Sequence, residues 1–324
     1  MPKTRDARRA KLKDDCRSQL YLSIGRALNA GLPAERALNA VTGVCGGALD
    51  QKLRLAANAV GKGTGIVVAL DRQGLLSKLD HAILECAERV GAVDTSMLLL
   101  AKRYEARHYR GSRFKSKLVY PAFLFVFSIF CRPVPALFHG RITVNDYLSQ
   151  AFGTLAAVAF AVYVLRFAVT SFNTHGWPRI LSWFARRLPR LKKLVWLHER
   201  AEVNSNLALM FAAGMPAQEA LRAYCGVEPP GVRRMHIANA AAALNDGEGV
   251  AAALRQAQVI DPLEGYAIVS VGESAGKLDE NLERYGKNCR TYLDDELDML
   301  VRLVPFIVYL YIVYIVLSGM FNAP

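Results

Sequence analysis

Ala30-Gly31-Leu32-Pro33-Ala34-Glu35-Arg36-Ala37-Leu38-Asn39-Ala40 and Ala213-Gly214-Met215-Pro216-Ala217-Gln218-Glu219-Ala220-Leu221-Arg222-Ala223 are one segment written twice in a chain of 324 residues. Self-similarity at that separation marks a tandem duplication. A second pair keeps the register, with Glu88, Gly91 and Asp94 matching Glu273, Gly276 and Asp279. Each half is therefore expected to fold like the other.

The local pattern within each copy is helical. Leu20, Ile24, Ala27 and Leu28 follow the i, i+4, i+7, i+8 spacing of one helix face, and Val203, Leu207, Met210 and Phe211 follow it approximately. Neither copy alternates like a strand. In the Ala-Gly-x-Pro motif, a glycine just past a helix closes it in the left-handed conformation and a proline starts the next helix. Gly31 with Pro33, and Gly214 with Pro216, are thus expected at helix-turn-helix corners. Gly272-Glu273-Ser274-Ala275-Gly276-Lys277-Leu278-Asp279-Glu280-Asn281-Leu282 reads the same way. Gly276 ends one helix, Asp279, Glu280 and Glu283 favour the exposed amides of the next helix's first turn, and Leu278, Leu282, Tyr285 and Cys289 form its buried stripe.

The composition is 52% hydrophobic with only 21% charged residues, too apolar for an ordinary soluble pair of domains. The excess collects in three runs, 118–138, 151–172 and 303–321, each close to the ~20 residues that carry a helix across a hydrocarbon core. A buried helix of a large core is the competing reading, but such helices rarely exclude charge for so long. Arg132 and Arg166 interrupt the first two runs and are expected to reach for headgroups. Lysines and arginines crowd the ends of the runs at 102–117 and 179–193, while 139–150 holds a single arginine. By the positive-inside rule both long segments face the cytoplasm and 139–150 lies outside. The net charge of +13 then points to anionic lipid rather than nucleic acid. No signal peptide is read at the basic N-terminus. The expected architecture is all-α: a basic tail at 1–14, helical bundles at 15–117 and 173–302, transmembrane helices at 118–138, 151–172 and 303–321, and a periplasmic loop at 139–150.

Chemical motifs fare poorly. Gly272-Glu273-Ser274-Ala275-Gly276 fits the G-x-S-x-G nucleophile elbow, with Ile268-Val269-Ser270-Val271 as its strand. That chemistry needs a histidine after the serine, and His236 is the last one here. Gly61-Lys62-Gly63-Thr64-Gly65 lacks the Lys-Ser/Thr pair of a Walker loop. The histidines show no H-E-x-x-H spacing, and the six cysteines show no C-x-x-C, so neither a metal site nor a disulfide framework is expected. No cofactor is implied.

The order of duplicated helical domain, two spans, second copy and final span resembles the inner-membrane platform family of type II secretion systems and type IV pili. The block at 213–221 and the Gly272-Glu273-Ser274-x-Gly276-x-Leu278-x-x-x-Leu282 segment are similar to that family's recognisable motifs. The first copy departs from them, with Glu88-Arg89-Val90-Gly91 at the second motif. The resemblance implies a non-enzymatic protein of the bacterial inner membrane, N-terminus cytoplasmic and C-terminus periplasmic. It also implies contacts with an assembly ATPase, with pilin or pseudopilin subunits, with other inner-membrane alignment proteins, and with further copies of itself. Gly31, Pro33, Glu88, Gly91, Asp94, Gly214, Pro216, Glu219, Gly272, Glu273, Ser274, Gly276, Leu278, Asp279 and Leu282 are then the residues expected to face partners or define the bundle. A small transporter or channel subunit is the competing class, but the repeat lies outside the spans and the third span offers no polar path.

Overall fold

Every regular element among the described residues is a helix. The computed structural model describes residues 12–43, 46–131, 143–149, 152–156, 160 and 189–321. The first copy supplies α1 (Asp14–Asn29), α2 (Ala34–Ala40), α3 (Gly47–Gly61), α4 (Ile66–Arg72), α5 (Lys78–Val90) and α6 (Val93–Cys131). The second repeats the series with α7 (Pro189–Ala212), α8 (Ala217–Val227), α9 (Val232–Asn245), α10 (Val250–Gln256), α11 (Glu264–Ser274) and α12 (Leu278–Phe321). The duplication is visible helix by helix, down to the short α4 and α10.

The corners explain why the order of helices repeats. Gly31 and Gly214 both have φ of 81°, and Gly91 and Gly276 have 79° and 68°. Past each glycine the next amide reaches back a full turn: Leu32 N to Ala27 O at 3.1 Å, Met215 N to Met210 O at 3.0 Å, Ala92 N to Ala87 O at 2.8 Å, and Lys277 N to Gly272 O at 2.7 Å. This closure satisfies carbonyls that a helix end leaves open. The α4 and α10 ends close alike, with Leu75 N to Leu70 O at 3.1 Å and Val259 N to Leu254 O at 2.9 Å. At that corner the first copy has Gly74 at φ 68° and the second has Gln258 at φ 59°, a conformation that crowds a Cβ. Gln258→Gly is therefore expected to raise stability by about 1 kcal/mol, read as a higher unfolding midpoint.

Two compact units emerge. The first comprises Met1–Arg110 and Leu197–Arg290, so the two copies pack into one body rather than standing apart. Its hydrophobic core is continuous across them, running from Leu20, Tyr21, Ile24 and Leu84 to Leu207, Leu221, Tyr224 and Leu282. Burying each such side chain stabilises by roughly 1.5–3 kcal/mol. Inside the core lies a polar network. Asp80, fully buried, accepts from Tyr21 OH at 2.9 Å and from Tyr104 OH at 2.9 Å, while Arg17 donates to Tyr104 at 3.0 Å. Burial and the Asp80 carboxylate push the Tyr21 phenol well above its usual range, keeping its proton in place to donate. The second copy places Arg200 where the first has Arg17 and pairs it with Asp261 at 3.4 Å and Tyr285 at 3.4 Å.

The second unit comprises Gly111–Trp196 and Thr291–Pro324. Within it Tyr147 OH donates to the Phe130 carbonyl at 3.0 Å, Phe130 and Phe152 meet edge to face, and Lys193 pairs with Glu296. Thr143 and Asp146 form a reciprocal cap, with Asp146 N to Thr143 Oγ1 at 3.3 Å and Thr143 N to Asp146 Oδ2 at 3.2 Å.

One expectation needs adjustment, and the expected spans fall only partly within the described residues. Counting only the described residues, no helix is long and apolar enough to cross a membrane. Of the expected spans, 132–138 and all of 151–172 except 152–156 and 160 lie outside the described residues, while α6 carries 118–131 and α12 carries 303–321. Cys16 is disulfide-bonded, so the expectation of no disulfide fails at that residue. Sequence spacing could not signal it, because the fold and not the spacing sets which thiols meet. Cys86, Cys225 and Cys289 are free.

Candidate functional site

The copies meet where the end of α5 reaches the α7–α8 corner. Arg89 Nη2 donates to Glu219 Oε1 at 2.6 Å, and the Cys86 thiol lies 3.9 Å from the Ala213 carbonyl. A Cβ built on Gly214 would stand 3.8 Å from a Val90 methyl. Both ends of the Arg89–Glu219 pair are substantially exposed, so its worth is in registering the two copies more than in stability. A second polar link ties α6 to α7. Arg103 donates to Asn206 Oδ1, and Asn206 Nδ2 donates to Tyr224 OH at 2.7 Å. The contact is one-sided. The repeat puts Arg36 where Glu219 stands and Ser274 where Arg89 stands, so the reciprocal ion pair has no carboxylate. A Cβ on Gly31 would meet nothing within 4 Å.

The two motif glutamates are turned inward onto helix starts. Glu273 Oε1 accepts from Val250 N at 2.6 Å and Oε2 from Ala251 N at 3.0 Å, capping α10. A Cβ on Gly249 would come within 3.0 Å of that carboxylate, and one on Gly65 within 2.7 Å of the Glu88 carboxylate. Each glutamate thus reaches the glycine preceding the short fourth helix of its own copy. The negative charge compensates the amides and the positive end of the helix dipole. Glu273→Ala is expected to cost about 1–2 kcal/mol, with Glu273→Gln, which keeps an acceptor, costing less; paired unfolding curves read the difference.

The same geometry disposes of two chemical readings. A carboxylate already sits against Gly65, which repels a phosphate from the 61–65 loop. Ile268 to Val271 lies inside α11 and not in a strand, and Ser274 Oγ donates to the Ser270 carbonyl at 2.9 Å, the back-bonding of a helix serine. His236 Nδ1 lies 2.7 Å from the Ala257 carbonyl. Among the described residues no cluster of His, Cys, Asp or Glu could hold a metal ion.

The other expected residues divide by depth. Leu282 is fully buried and Leu278 packs partly buried against the core. Asp94 and Asp279 stand in the first turns of α6 and α12. Pro33 and Pro216 are exposed N-caps of α2 and α8. Gly272 is buried where α11 crosses α12, and a Cβ there would come 2.7 Å from that of Asn281. The motifs missed Arg89, Arg103, Asn206 and the Asp80 network. The shared placement of Arg17 and Arg200 ahead of the Ala-Gly corner was the one signal that could have found part of it.

A family model described as "Type II secretion system (T2SS), protein F" matches twice, over residues 20–137 and 205–323, one match to each copy. The chain belongs to that family. Among curated relatives, the type II secretion system protein F of Pseudomonas aeruginosa is 26% identical over 304 residues, covering 85% of this chain and 73% of the relative. The type 4 fimbrial assembly protein PilC of Pseudomonas putida is 25% identical over 302 residues, covering 86% and 74%. The type IV pilus assembly protein PilC of Thermus thermophilus is 23% identical over 276 residues, covering 78% and 68%. In this protein F family member the matched repeats hold the Ala-Gly-x-Pro corners, the helix-capping Glu273 and the contact between the copies.

Proposed function

We propose that this protein F family member is a non-enzymatic inner-membrane platform of a type IV pilus or type II secretion machine, coupling a cytoplasmic assembly ATPase to extraction and polymerisation of pilin or pseudopilin subunits. The observation that carries the reading is the continuity of α6 and α12. Each runs unbroken from a glycine corner of its copy, Val93–Cys131 and Leu278–Phe321, into a segment expected to span the bilayer. That continuity, together with the match of the family model to both copies, is what supports the reading. Residues 118–138, 151–172 and 303–321 are the spans, 139–150 is periplasmic with the C-terminus, and 15–117 and 173–302 are cytoplasmic. The capping roles of Glu273 and Gly276 support a bundle-defining part for the second motif, and the exposed Gln218 and Lys277 beside the motifs offer surface to partners. Anionic lipids, inner-membrane alignment proteins and further copies of the chain complete the set.

Photo-crosslinking residues introduced at Gln218 and Lys277 in intact cells test this. Capture of the assembly ATPase is the expected result. At normal protein abundance, capture of neither the ATPase nor a pilin-type subunit from either position overturns the coupling role.

A further inference from the structure

The first unit carries an excess of guanidinium groups around one carboxylate. Arg103 and Arg107 come from α6, Arg290 from α12, and Glu202 with His198 from α7. Arg103 Nη2 lies 4.0 Å from Glu202 Oε2, and Arg107 Nε lies 3.5 Å from Asp14 Oδ2 at the start of α1. Arg103 Nη1 is buried and has no hydrogen-bond partner. A buried N–H of a charged group left unmade costs more than one that was never buried, so the donor calls for an acceptor.

The electrostatics give the missing partner its sign. Burial alone would raise the Glu202 carboxyl, yet Arg103, Arg107, Arg290 and His198 outweigh it and hold it below its usual range. Arg290 is pushed down to about 10 by burial and by Arg110, with Arg103 adding to the repulsion and Glu202 and Glu283 opposing it. The fold does not require this crowding. Counting from Gly91 and Gly276, the repeat puts Glu105 where Arg290 stands and Asn288 where Arg103 stands, so equivalent helical positions tolerate an acid or an amide.

We propose that Arg103, Arg107 and Arg290 form a binding site for a phosphate group, supplied by an anionic phospholipid headgroup or by a soluble phosphate compound. Planar guanidinium forks match phosphate oxygens two at a time, and a phosphate brings the negative charge that Glu202 cannot supply alone. The lipid source rests on the membrane reading above.

The unfolding midpoint of the full chain tests the site in two arms: in neutral detergent with added pyrophosphate, and in nanodiscs of phosphatidylglycerol against phosphatidylcholine. The expected result is a midpoint raised by at least one of the two, with affinity weakened at least tenfold in Arg290→Gln and in Arg107→Gln and unchanged in Arg284→Gln, an exposed residue of the same helix. Because Arg290→Gln relieves repulsion, its midpoint without ligand is expected to equal or exceed that of the parent, which separates ligand loss from damage to the fold. A response to phosphatidylglycerol alone identifies the lipid as the source. A response to pyrophosphate alone supports the site and counts against its place at a bilayer. No response in either arm, or equal responses in parent, Arg290→Gln and Arg107→Gln, overturns the proposal.

Discussion

Asp80→Ala is expected to lower stability by about 3–5 kcal/mol, the largest effect of any single substitution considered for the first unit. Two tyrosine hydroxyls, Tyr21 and Tyr104, would lose their acceptor inside the core, and Arg17 would keep a mostly buried charge beside no carboxylate. Losing one partner of such a group costs far more than the intact pair contributes, because what remains is desolvated and unmatched. Asp80 also closes α5, accepting from Ser77 N at 3.3 Å while Asp80 N donates to Ser77 Oγ at 3.1 Å. Asp80→Asn keeps one acceptor and should lose less than half as much. Denaturant unfolding of the purified chain measures both. Near-equal curves for Asp80→Ala and the parent would show that the network contributes nothing. The second copy offers an internal comparison, since Asp261 is 32% exposed at its side chain and solvent can replace it; Asp261→Ala should be the milder change.

Gly272→Val should cost about 2–3 kcal/mol. A Cβ at Gly272 would stand 2.7 Å from that of Asn281, a distance real side chains do not reach, so α11 and α12 would have to separate. The neighbouring Glu273 would be drawn off the amides of Val250 and Ala251 in the same movement. Gly226 in α8 serves as the control, because a Cβ there meets nothing within 4 Å. Gly226→Ala should therefore be neutral or stabilising by up to about 1 kcal/mol through helix propensity. If both glycines respond alike to substitution, the close crossing at Gly272 has no energetic weight.

The helices and their corners were legible because they depend on local chemistry. A glycine at positive φ and a proline at a helix start announce themselves in a few residues, and the repeat doubled the signal at Gly31 and Gly214. Other features were not legible because they depend on which surfaces meet. Glu273 was expected to face partners or define the bundle, but nothing in the motif named what it holds, the Val250 and Ala251 amides of another helix. Asp80 carried no motif at all, although its full burial makes it more consequential than any residue of the repeated segments. Apolar runs between the copies suggested bodies held apart in sequence, and nothing in the spacing announced that α5 of one copy would meet α8 of the other. The pair that joins them, Arg89 and Glu219, breaks the repeat, since Ser274 and Arg36 stand at the matching positions. A reading guided by the duplication was bound to miss an interaction that exists because the copies diverged.

The two copies form one packed body joined at the α5 end and the α7–α8 corner. Cysteines introduced at Arg89 and Glu219, bridged by a short bifunctional thiol reagent and mapped by peptide mass spectrometry, test it most directly. The expected result is a crosslink within a single chain, formed at a yield independent of protein concentration. A crosslink found only between chains, or absent while each cysteine reacts freely, would contradict it.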